Sequence, residues 1–316
     1  MASKKNIAGW AVAGAAMVVL SGSATASLAA KKRPAAHHAA HRAAAPVSAG
    51  SLETQAMAFE SFMRRGREID PEFSNSNQVN RSLQAGAGHD AEKLEADMIA
   101  YAAMAALQDP SFIEGVRREA QGSDLVARIS ADSNAVLQLP GASAAAERAS
   151  AALLRQGEDL AKTGERVQRA SYTVQQSAWS RARIANPRSR LDAVKRVSAA
   201  AYRPEAGEAA KLQAALADGG RRGGASPVVT RGVALAALSV LGEADRGRSL
   251  AHDPSSGMCL TMAKLNYYQC LASAGTEYED IYCLGKHALV DTGECVSKAA
   301  EAPRSQISVT PASYRR

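Results

Sequence analysis

The chain has 316 residues, a net charge of +7 and only 4% aromatic residues, which is length for one or two ordinary domains. Strands favour branched and aromatic side chains on a pleated surface, and no alternating runs of them occur, so the composition leans strongly away from sheet-based folds. Alanine dominates, loses no side-chain entropy in a helix and buries little area per residue, so the composition predicts an all-α protein, an alanine-rich helical bundle with a thin core.

At the N-terminus, Lys4 and Lys5 precede an apolar stretch over residues 7–20 and an Ala24-Thr25-Ala26 site. A positive n-region, a short h-region and A-x-A describe a secretory signal peptide, so residues 1–26 are expected to be removed on export to the periplasm or beyond. The stretch falls short of the ~20 residues that span a bilayer, and no later segment is long and apolar enough to do so. Residues 27–50 carry His37, His38, His41 and several cations among alanines. This composition predicts a disordered basic tether.

An alanine-rich helical domain is expected over 51–217. Leu52, Ala56, Phe59 and Met63 form a helical stripe ending near Ile69-Asp70-Pro71. The asparagine-rich stretch from Asn75 to Gly88 reads as a polar loop. Leu94, Met98, Tyr101 and Ala105 repeat the stripe up to Asp109-Pro110. Ser111 is placed to cap a short helix carrying Phe112, Ile113 and Val116, and Leu125, Ile129 and Val136 mark a further helix ending at Pro140-Gly141. Residues 142–185 then read as one long helix. Leu153, Leu160, Val167 and Val174 recur every seven residues, and Ser150, Gly157, Gly164, Ser171 and Ala178 hold the intervening core position. Large residues alternating with very small ones fit a heptad whose partner backbone approaches closely, and self-association or a partner helix is the expected use.

After the Asn186-Pro187 break, Leu191, Val194, Val197 and Ala201 support another helix before Arg203-Pro204, and a short one is expected over 205–217. The segment 180–203 holds Arg181, Arg183, Arg188, Arg190, Lys195, Arg196 and Arg203 against Asp192 alone, a net charge of +6. Such a patch attracts phosphates, anionic lipid or acidic polymer; Trp179 and Tyr202 flank it and are candidates to insert or stack. Nucleic acid fits the charge but not the compartment. Glycines at 219, 220, 223 and 224 predict a flexible linker over 218–227, uncoupling a Cys-rich helical unit at 228–300. Residues 301–316, with Pro303 and Pro311, predict a disordered tail.

The four cysteines follow C-x10-C-x12-C-x11-C. In an exported chain this predicts disulfides; zinc sites and redox motifs use shorter gaps, and Cys283-Leu284-Gly285-Lys286-His287 lacks the second cysteine of a haem-attachment motif. Cys259 and Cys270, eleven residues apart, lie within about 20° of one helix face but ~16 Å apart by rise, too far to bond each other. Thr276 and Glu279 form a T-x-x-E capping box for a second segment. Cys283 and Cys295, twelve apart, fall ~120° out of phase on an α-helix, which predicts a break near Asp291-Thr292-Gly293. The result is a disulfide-stapled helical hairpin with Cys270–Cys283 inside and Cys259–Cys295 outside. Its reduction is expected to spare the helices before Asp218.

No nucleophile elbow, H-E-x-x-H, P-loop or dinucleotide fingerprint stands in its required context. The sequence therefore predicts no cofactor, no metal and no catalysis, and a non-enzymatic envelope scaffold or adaptor. The competing expectation is an enzyme acting on cell-wall polymer, with the Cys-rich unit as a binding module.

Overall fold

The computed structural model describes residues 49–122 and 124–302. The leader 1–26, the histidines at 37, 38 and 41, and the tail from 303 lie outside these residues. Among those described, helices are the only regular elements, joined by short links, with one isolated β-bridge.

Helix α1 (Ala49–Arg67) buries Leu52, Ala56, Phe59 and Met63, the stripe its sequence predicts. The stretch expected as a polar loop is instead helix α2 (Ser76–Ala87). Asn75 caps it by accepting from Gln78 N, and Val79, Leu83, Gly86 and Ala87 form its buried face. Helix α3 (Ala91–Ala106) starts at the Asp90 cap and is buried along nearly its whole length. The cap of α4 (Pro110–Glu119) is Asp109 rather than Ser111, with Pro110 in the first turn where its missing N–H costs nothing. Helix α5 (Leu125–Ala131) and a 3₁₀ turn (Ser133–Gln138) complete this half and bury Leu125, Ile129 and Val136.

The long helix α6 spans Ala142–Val174, eleven residues shorter than its sequence predicts. No proline or glycine marks its end; the chain turns through Gln175, Gln176 and Ser177 into a single-turn helix, α7 (Ala178–Arg181). Helices α8 (Pro187–Ala199) and α9 (Glu208–Ala217) follow. The C-terminal half contains α10 (Pro227–Val240), a 3₁₀ segment (Ala244–Ala251), α11 (Pro254–Ser273), α12 (Glu277–Cys283), a π-helical segment (Leu284–Asp291) and α13 (Thr292–Ala300).

The small residues of α6 do find a close partner, and it belongs to the same chain. The π segment and α13 run antiparallel along α6. A Cβ added at Gly157 would lie 2.6 Å from Gly293 O, and one at Gly164 2.6 Å from Val290 N and 2.8 Å from Gly285 O. The approach is reciprocal, since a Cβ at Gly293 would meet Ala161 N at 2.7 Å. Further along, Ser150 Oγ donates to Ala300 O at 2.9 Å. The heptad face expected to hold a second copy is thus occupied internally. Gly164→Ala should therefore cost about 1–3 kcal/mol, although alanine is the better helix former by ~1 kcal/mol. Chemical denaturation checks this, and a stabilised variant would contradict the close approach.

Residues 218–227 do not uncouple two units. One hydrophobic core runs from Leu52 to Ala300. The glycine stretch is held on two elements: Arg221 pairs with Asp109, the cap of α4, at 3.2 Å, while on α6 Arg222 pairs with Glu158 and Gly223 takes a left-handed conformation against Ser150. Ser226 then caps α10 and donates to Ala299 O at 2.6 Å. Helix α10 packs on α3 with Gly232 seated against Ala102. Glycine is used here for close passage rather than for freedom.

Both disulfides are nested as the spacing predicts. Cys270–Cys283 has a Cα separation of 5.6 Å and Cys259–Cys295 one of 5.7 Å. The expected break before Cys295 is absent; helix continues from Glu277 to Ala300. The phase problem is solved by the π segment, whose hydrogen bonds reach five residues instead of four. Each of its eight residues turns through less than the about 100° of an α residue, and together they absorb the excess that separates Cys283 from Cys295. The same unwinding returns Gly285 and Gly293, eight residues apart, to one face.

Candidate anionic-surface contact

The basic segment forms an arm laid over the C-terminal hairpin. After α7 the chain is extended, bridging Arg183 to Thr276, and Ile184 N donates to Gly275 O at 2.9 Å. Asn186 then caps α8 by accepting from Ser189 N, with Pro187 in the first turn. Two inward residues anchor α8. Ser198 Oγ donates to His89 O at 2.5 Å, and Arg190 donates to Asp280 Oδ2 at 2.7 Å and to the carbonyls of Leu271 and Ala274 at the end of α11.

Arg190 is therefore not a surface-binding residue. Its side chain is 6% exposed and that of Asp280 1%. Burial pushes the Asp280 carboxyl up to about 8, with Arg190 pulling the other way. The helix phase explains the exchange of roles: Arg190, Val194 and Ser198 follow one another at four-residue spacing and share the buried face.

The remaining cations face water. Arg181, Arg183, Arg188, Lys195, Arg196 and Arg203 are all exposed; set against Asp192 they leave five net positive charges over 24 residues. Arg181 ends α7, Arg183 lies on the extended link, and Arg188, Lys195 and Arg196 lie on α8. Neither flanking aromatic is free to insert. Trp179 packs half-buried against the core, and Tyr202 donates to Glu208 Oε2 at 3.2 Å. Burial and that carboxylate push the Tyr202 phenol up to about 12.

The arm borders a groove that single-residue reading missed. The ends of α6 and α11 and the body of α12 enclose about 380 Å³, lined by Tyr172, Tyr278, Tyr282, Gln175 and Glu279. Tyr172 meets Tyr282 edge to face at 6.3 Å. In a chain with eight tyrosines, three converge here. The only visible signal is that Tyr278 and Tyr282 lie one helical turn apart. The carboxylate lining the groove, Glu279, is committed to the backbone, accepting from Gly275 N at 2.6 Å and Thr276 N at 2.9 Å.

Comparison with family profiles, characterised proteins and solved structures finds no match to this chain. The site is accordingly read from its own chemistry. Among the described residues no group of three or more His, Cys, Asp or Glu side chains is placed to hold a metal ion, and no helix is long and apolar enough to cross a membrane.

Proposed function

We propose that this is an exported, non-enzymatic protein of the cell envelope, a scaffold or adaptor whose basic arm engages an anionic envelope surface. The observation that carries this reading is the exposed set Arg181, Arg183, Arg188, Lys195 and Arg196 on a rigidly anchored segment. Pairing of all four cysteines supports an oxidising compartment, in keeping with the leader. An enzyme acting on cell-wall polymer is favoured only by the tyrosine groove, whose one carboxylate already serves the start of α12.

Binding of the mature protein to a soluble polyanion or to cell-wall fragments should fall steeply with salt, as the Debye length shortens from ~30 Å at 0.01 M to ~8 Å at 0.15 M. The variant R181Q/R183Q/R188Q/R196Q should lose most of that binding. If it binds as the parent does, the arm is only a solvated face. Export has its own check: mature protein from an envelope fraction should begin at Ser27 or within a few residues of it. Intact-mass analysis finding Met1 or Ala2 on the bulk of the protein would overturn that part of the reading.

A further inference from the structure

Helix α11 stands apart from the other surface helices. Of its 20 residues only Lys264 is charged, and Lys264 turns inward, donating to Ala87 O at 2.9 Å and His89 O at 2.8 Å. A surface helix carries charged and polar residues on its outward face, yet α11 sets no charged side chain there. Its core side is Leu260, Ala263, Tyr267 and Leu271. Its outward side is Met258, Met262 and Leu265, which are 64%, 47% and 46% exposed. Exposed Gln269 and Ala272 continue the same four-three spacing. Apart from Tyr172, these three are the large hydrophobic side chains left exposed among the described residues.

The apolar stripe has a cationic border. Tyr268 lies beside it on α11, and Lys195 of α8 sits over the Tyr268 ring at 5.5 Å. Arg188 precedes Lys195 by seven residues, two helical turns, and so shares its side of α8. The basic arm and the apolar stripe are therefore neighbours on one surface.

We propose that this surface docks on an anionic phospholipid bilayer. Met258, Met262 and Leu265 enter the boundary between headgroups and acyl chains, while Arg188, Lys195 and the rest of the arm meet the lipid phosphates. The inference rests on reading the arm as an anionic-surface contact, and it names the surface. A hydrated polyanion gives the cations partners but nothing to methionine and leucine. A second copy seated on the stripe would bring two arms of like charge together. A bilayer satisfies both halves at once, and interfacial binding scales with buried apolar area plus attraction to anionic lipid. Flexible, unbranched methionines suit a fluid acyl environment.

The test uses the mature protein with vesicles of phosphatidylcholine alone, or with about a third phosphatidylglycerol, and a soluble polyanion in parallel. The parent should bind the anionic vesicles at ~0.15 M salt and bind the neutral ones far less. The variant M258S/M262S/L265S, all at exposed positions, should lose about tenfold or more in vesicle affinity while keeping the parent's polyanion binding. The arm variant R181Q/R183Q/R188Q/R196Q should lose both. Leu265→Trp supplies a direct reading of depth, and its fluorescence should be quenched by brominated acyl chains. Unquenched Leu265→Trp, or a triple serine variant that binds vesicles as the parent does, overturns the docking. So does a solution dimer that the triple variant dissociates, since a second copy would then own the stripe. Polyanion binding without vesicle binding overturns this inference and leaves the arm's general reading standing; binding to neither removes both.

Discussion

Replacing Arg190 with methionine should destabilise the protein by about 3–5 kcal/mol, the cost of leaving one member of a buried ion pair behind. Arg190 closes three contacts at once. It donates to Asp280 Oδ2 at 2.7 Å and satisfies the carbonyls of Leu271 and Ala274 at the end of α11. In a body of this size that loss corresponds to a fall of roughly 6–20 °C in Tm. The double variant R190M/D280L should recover much of it, because a buried pair replaced by apolar groups of similar volume is often neutral or better. A pH effect accompanies the single change. Asp280 is already pushed above the ordinary carboxylate range by burial, and Arg190 is what holds it down, so the variant retains its proton to higher pH than the parent. A carboxyl whose folded pKa is raised stabilises the fold fully below its unfolded-state pKa and loses that contribution as pH rises to the folded value; in the parent the loss is complete near pH 8, and in the variant it continues above it. The gap between R190M and the parent should therefore widen as pH rises through about 8. Urea denaturation at several pH values checks both statements. A single-variant cost below about 1 kcal/mol would mean that the pair behaves as an exposed one. Where R190M is folded, its polyanion binding should match the parent's, whereas R188Q should weaken it.

Much of this architecture is written in short local signals. Asn186-Pro187 and Ser226-Pro227 begin helices where a cap followed by proline says they should. The nesting of the disulfides follows from Cys259 and Cys270 lying eleven residues apart on one face. What could not be read is the information carried by a partner segment. Helix α2 hides because its sequence is rich in asparagine and the only large apolar side chains on its buried face are Val79 and Leu83; the cap at Asn75 and the packing of Gly86 against Leu284 and Ala288 complete it. The π segment has no composition of its own. It is demanded jointly by the disulfides and by the glycines of α6, and neither demand is local.

The basic arm was legible as charge but not as surface. Arg188 and Arg190 are indistinguishable in a charge count and differ only in phase. The signal was present, since Arg190 lies four residues before Val194, but an arginine on an apolar stripe becomes meaningful only when Asp280 is found opposite it. Met258, Met262 and Leu265 pose the converse problem. Their spacing matches any buried stripe, and only the packing of α11, with Tyr267 inward and Met262 outward, shows that the helix has a second apolar side.

Reducing both disulfides should unfold the protein as one body rather than release its C-terminal hairpin alone. Each bridge constrains the unfolded chain, with sequence separations of 13 and 36 residues, and each is worth about 2–4 kcal/mol on that account. The decisive point is what the hairpin touches. Its π segment and α13 cover the glycine face of α6, from Ser150 beside Ala300 to Gly164 beside Val290. Leu160 and Val167 are buried along the same helix. Were the hairpin to detach, α6 would expose that face and the backbone contacts around Gly157 and Gly164 would be lost. Helix α10, seated on α3 through Gly232 and Ala102, would lose its neighbours as well. The uncoupling expected from the glycine-rich 218–227 stretch therefore fails on packing grounds, because that stretch is itself pinned to α6 by Arg222 and Gly223 and to the α4 cap Asp109 by Arg221. Hydrogen exchange should show amides of α3 and α6 losing protection together with those of α11 to α13 once reductant is added, and melting should remain a single transition at lower temperature. Two separated transitions, with residues 52–119 melting where they did before reduction, would show that the two halves fold independently.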